Sequence, residues 1–60
     1  MIAATVATRW TSGRFRYGIA LLGAGRPADA IVQLERALAL EPGHAGARAM
    51  LARARAEAGS

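Results

Sequence analysis

The chain has no cysteine and no lysine, only three aromatic residues, and only four carboxylates. Without cysteine there is neither a disulfide staple nor a thiolate metal site. His44 stands alone, and Asp29, Glu35, Glu41 and Glu57 are too few and too scattered to complete a structural zinc site. No metal and no cofactor are therefore expected. Nowhere can a nucleophile, a base and an orienting group be assembled, so the chain reads as no enzyme. No stretch approaches the roughly 20 apolar residues that cross a bilayer. Met1–Thr8 is apolar but has no basic residue before it, which makes a poor secretory signal, and the expected location is the cytoplasm. The first 28 residues lack acids and contain Arg, Thr and Ser, as an organellar transit segment does. Against that reading, Tyr17–Gly25 already belongs to the helical pattern described below.

What is present favours helix. Sixteen of the 60 residues are alanine, and beyond Thr11 the only β-branched residues are Ile19, Ile31 and Val32. A chain this short buries only about 60% of the surface that its unfolded form exposes, so its stability is marginal. The charge is uneven. Arg9, Arg14, Arg16 and Arg26 face no acid within residues 1–28, whereas Arg36, Arg48, Arg53 and Arg55 are balanced by four acids in residues 29–60. A basic field attracts nucleic acid or anionic membrane. A GC-rich coding sequence enriches Ala, Arg and Gly together and explains the same bias, and there is no run of basic residues.

Three breaks divide the chain. Thr11-Ser12-Gly13 is turn-like, with Ser12 as a candidate N-cap for a helix starting near Arg14. Gly23-Ala24-Gly25-Arg26-Pro27 is the second, and Pro27 suits the first turn of a new helix. Glu41-Pro42-Gly43-His44 is the third, because Pro42 disfavours helix at Glu41. Between them the apolar period is helical: Ala30, Ile31, Leu34, Ala37 and Leu38 make one stripe, and Ala47, Met50, Leu51, Ala54 and Ala58 another. Tyr17, Gly18, Leu21 and Ala24 share one face of the first helix, with Phe15, Ile19 and Leu22 on a neighbouring one. Gly59 is expected to close the last helix as a C′ residue. Helices are thus predicted near 14–24, 27–40 and 45–58, the first two antiparallel and the third stacked on the second. Residues 1–12 form an N-terminal extension, disordered or partly helical, and 13–60 the helical domain.

Arg14/Arg48, Ala20/Ala54, Ala24/Ala58 and Gly25/Gly59 are identical at a separation of 34. The series Arg14-x2-Tyr17-Gly18-x2-Leu21, then Ala30-x3-Leu34, Ala37 and Pro42, restarting at Arg48-x2-Leu51, resembles the tetratricopeptide repeat over about one and a half units. The resemblance implies an all-α fold, a helix-turn-helix plus a third helix, as a fragment of a right-handed α-solenoid. It assigns Tyr17, Gly18, Leu21, Ala30, Leu34, Ala37, Pro42 and Leu51 to repeat packing. Arg14 and Arg48 stand where that family has a large aromatic. Arg55 occupies a later aromatic position, which suits either a capping helix in water or a fragment whose next helix is missing. The resemblance also implies a non-catalytic protein–protein interaction scaffold whose first helices line a groove for extended peptides. The outward face would carry Ser12, Phe15, Ile19, Leu22, Ala49 and Arg53. It is mostly apolar, so a clamp for a C-terminal carboxylate is not indicated. The partner would be another protein or peptide, or the chain itself as a homo-oligomer joined through Phe15, Ile19 and Leu22.

Two rival readings belong to other classes. Gly23-x-Gly25-x-x-Ala28, taken as the turn after a strand at Tyr17–Leu22, is a dinucleotide-binding fingerprint, with Glu41 near a ribose-contact distance. Pro27 and the Ala-rich strand argue against it, and 60 residues cannot supply a doubly wound sheet. Arg9-Trp10 and Arg14-Phe15-Arg16-Tyr17 interleave cations with aromatics, as a single-strand binder does. With Tyr17 in the core, only weak, sequence-independent binding lost at moderate salt is expected. His44 reads as a surface loop residue.

Overall fold

The computed structural model describes the backbone of residues 2–59 and the side chains of residues 10–59. The described residues form three helices, α1 (Ile2–Gly23), α2 (Pro27–Leu40) and α3 (Ala45–Ala58), and no strand. The α2 and α3 spans match the sequence reading. So does the packing: α1 and α2 form a hairpin, and α3 lies chiefly on α2.

The α1 start does not match. The helix runs unbroken through Thr11-Ser12-Gly13, and Ser12 caps nothing. The reason is packing. Gly18 lies against Ala30 and Leu34, near the middle of α2. From that crossing α2 continues to Leu40, and a partner beginning at Arg14 would leave its last turn bare. Extending α1 backward sets Trp10 beside Ala39 and Leu40 and buries Thr11, which is 1% exposed. Burial of that kind overrides weak local propensity. The Arg9 side chain, one of the candidate cations, lies outside the described residues.

Each turn follows from its residues. At the end of α1 the Arg26 N–H donates to the Leu21 carbonyl at 2.9 Å and the Gly25 N–H to the Leu22 carbonyl at 3.2 Å. This is a Schellman motif, and its left-handed residue is Gly25, with φ of 78°. Pro27 then opens α2, and Asp29 sits in its first turn beside Arg26 at 2.8 Å. At the next turn the His44 N–H donates to the Glu41 carbonyl. His44 is no free loop residue. It is half-buried, and its Nδ1 accepts the Ala47 N–H at 3.0 Å as the N-cap of α3. Gly59 caps α3 in a right-handed conformation, not the left-handed one expected of a C′ glycine.

The core is small. Leu21, Leu22, Leu34 and Leu51 pack with Ala30 and Ala54, and Phe15, Ile31, Leu38 and Met50 close over them. Fully burying a leucine is worth roughly 2 kcal/mol, so these four carry most of the apolar stabilisation. Small residues let the helices approach: a Cβ on Gly18 would stand 2.8 Å from Leu34 Cγ. Tyr17, expected in this packing, points to solvent instead at 55% exposure. Leu22, expected outward, is buried at 8%. Both follow from α3, which packs over Phe15 and Leu22 and leaves the Tyr17 side of α1 open.

Candidate protein-binding groove

Phe15 fixes the relation between α1 and α3. Its ring packs against the His44 imidazole, with centroids 4.7 Å apart at 48°. Its Cζ also lies so close to Gly46 that a Cβ there would be 3.0 Å away. One aromatic side chain thus pins the start of α3 to the middle of α1. Because the chain reverses once before α2 and once after it, α1 and α3 run in the same sense from this point. Ile19 comes opposite Met50, and Leu22 and Gly23 opposite Arg53 and Glu57. Between them lies a hollow of about 310 Å³.

The floor of this hollow is Leu22 and Met50, and its wall is Ile19, which remains 41% exposed. Its polar rim is self-contained, since Arg53 Nε donates to Glu57 Oε2 at 3.0 Å. That pair is exposed on both sides and contributes at most about 1 kcal/mol. Its local effect is to cancel charge at the mouth of the groove. The site therefore offers a mixed slot, apolar at Ile19, Leu22 and Met50 and polar along its Arg53–Glu57 edge.

Of the five residues expected on the contact face, Ile19, Leu22 and Arg53 line this hollow. Phe15 is half-buried and Ala49 exposed, and neither is part of its lining. Among the residues assigned to packing, Gly18, Leu21, Ala30, Leu34, Ala37 and Leu51 are buried, whereas Tyr17 and Pro42 are exposed. The sequence reading missed Met50 and Glu57 as lining residues and His44 as a cap. Met50 was legible as the i+31 partner of Ile19 once Phe15 and Gly46 are known to touch, but nothing in the sequence alone sets that offset. Arg55, at the later aromatic position, reaches across to Glu35 of α2 at 3.2 Å. Among the described residues no three His, Asp or Glu side chains come together to hold a metal ion. The fingerprint reading of Tyr17–Ala28 is overturned, because Tyr17–Leu22 is helical and Gly25 ends a helix.

A family model described as tetratricopeptide repeat matches residues 21–60, two thirds of the chain. The matched span takes in the end of α1 and all of α2 and α3, and leaves out Arg14, Tyr17 and Gly18. No curated protein and no solved structure matches the chain.

Proposed function

The chain belongs to the tetratricopeptide-repeat family, and from that premise we propose that it is a non-catalytic module holding a segment of another protein between α1 and α3. The family's repeats generally serve as protein-interaction scaffolds. The observation that carries the reading to a place is the hollow lined by Ile19, Leu22, Gly23, Met50, Arg53 and Glu57. It lies between two helices, with Ile19, Leu22 and Met50 as its apolar part and Arg53 and Glu57 as its polar edge, so an extended peptide can lie along it. Its occupant would present an apolar side chain to Leu22 and Met50.

The test is a peptide-display selection on the whole chain, followed by titration of the selected peptides into isotope-labelled protein. Amide shifts should cluster at Ile19, Leu22, Met50 and Arg53. Ile19→Asp should weaken binding by roughly tenfold or more, because an apolar contact becomes an unpaired charge, while leaving the helical signal intact. A library that yields no binder, or shifts that map elsewhere, would overturn the proposal.

A further inference from the structure

We propose a second docking surface, centred on Trp10 on the side of α1 away from α3, whose occupant is an acidic segment of another protein carrying apolar anchors. The surface is distinct from the groove and does not depend on it. At about 100° per residue, Trp10, Arg14 and Tyr17 fall within a narrow arc of α1, and Ile19 lies on its opposite side. Trp10 is 62% exposed, and Leu40 of α2 beside it is 40% exposed. Exposed large apolar groups gathered in one place mark an interaction site.

Two hollows of about 270 Å³ each flank the indole. One is lined by Gly13, Tyr17 and Gln33, the other by Arg36, Ala39 and Leu40, and Arg14 borders both. The cations here are uncompensated. Arg14 gives a hydrogen bond to the neutral Gln33 amide at 3.2 Å. Arg36 makes no ion pair among the described residues, where Asp29, Glu35 and Glu57 are taken by Arg26, Arg55 and Arg53, and the fourth acid, Glu41, pairs with no described cation. Residues 1–28 contain no acid at all. Two apolar hollows bracketed by two unpaired guanidiniums complement apolar side chains with carboxylates between them. Guanidiniums bind carboxylates as a planar fork and stack on aromatic faces.

Charge decides among occupants. A second copy docked by two-fold symmetry would bring Arg14 and Arg36 against their own images, and the chain's net charge of +4 opposes it as well. A single-stranded nucleic acid needs cations spaced along its backbone. Here two guanidiniums border a hollow whose far wall is Ala39 and Leu40.

Trp10 is the only tryptophan, so its emission reports this surface directly. The probe is a synthetic peptide of glutamates with two leucines one helical turn apart, titrated into the full chain. The expected result is a saturable blue shift, weakened roughly tenfold when salt rises from about 50 to 500 mM. It should be lost when glutamine replaces glutamate. Arg36→Gln and Leu40→Ser should each weaken binding several-fold, whereas Arg48→Gln should leave it unchanged. An emission that does not move, or equal binding of the glutamine peptide, would overturn the proposal. So would tighter binding of an oligothymidylate, which would assign the surface to nucleic acid. A blue shift that grows with protein concentration alone and strengthens with salt would assign it to a second copy.

Discussion

Two glycines about 7.5 Å apart along the same helix (about 1.5 Å of rise per residue) answer to opposite constraints. Gly18 is buried, and a methyl group there would stand 2.8 Å from Leu34 Cγ and 2.9 Å from its Cδ2. Leu34 is itself fully buried and has nowhere to go. Gly18→Ala should therefore lower stability by about 1–2 kcal/mol, the overpacking cost of roughly 1–3 less the helix propensity gained. Gly13 sits mid-helix with nothing within 4 Å of its added Cβ. Gly13→Ala should raise stability by up to about 1 kcal/mol. Thermal melts in an osmolyte that strengthens folding would compare the two; equal signs would contradict this packing. The N-cap makes a further prediction. His44→Ala should cost about 1 kcal/mol, whereas His44→Asp keeps an acceptor for the Ala47 N–H and places an anion at the positive helix end. Urea midpoints should rank aspartate above alanine. Gly18 was legible from its place in the repeat, but His44 was not. Capping by an imidazole depends on a side-chain angle held by Phe15, and a contact between residues 29 apart leaves no local trace.

At the scale of the element, α2 and α3 were legible and the length of α1 was not. Pro27 and Pro42 mark their boundaries through a fixed φ and a missing N–H, constraints that tertiary structure seldom overrides. Thr11-Ser12-Gly13 is only a propensity, and the bare last turn of α2 outweighed it. The misreading also hid the Trp10 surface, because Trp10, Arg14 and Tyr17 share a face only if the helix runs through them. A proline substitution separates the two views. At a helix start, proline in place of Gly13 is tolerated or favoured. Inside a continuous helix it removes a hydrogen bond and clashes with the preceding turn, at a cost of roughly 3 kcal/mol. Gly13→Pro should therefore abolish cooperative melting of the hairpin. Circular dichroism showing unchanged helix content would mean that α1 begins where the turn-like residues suggest.

The whole molecule is a single layer of three helices, 41 × 18 × 13 Å, its long extent exceeding the roughly 33 Å of α1. Units of this family bury their apolar faces against neighbours, and arrays generally need three or more for stability. Here one and a half units share a core of four leucines and some alanines. Trp10, Tyr17, Ile19, Val32 and Leu40 are left in water. The isolated chain is thus expected to be poorly folded or self-associated. Charge selects which face associates. Around Trp10 two copies would oppose guanidinium to guanidinium, whereas at the α1–α3 groove the Arg53–Glu57 pair cancels locally and Ile19 and Met50 are available. Phe15 and Leu22, expected at such a contact from sequence, lie beneath that surface and support it. Association selectively stabilises the folded form, so helical content and melting temperature should rise with chain concentration. Sedimentation and circular dichroism over one dilution series measure both. Ile19→Ser with Met50→Ser should remove the concentration dependence, and Trp10→Ser should preserve it. A monomer that melts cooperatively at one temperature at every concentration would show that this thin core suffices by itself.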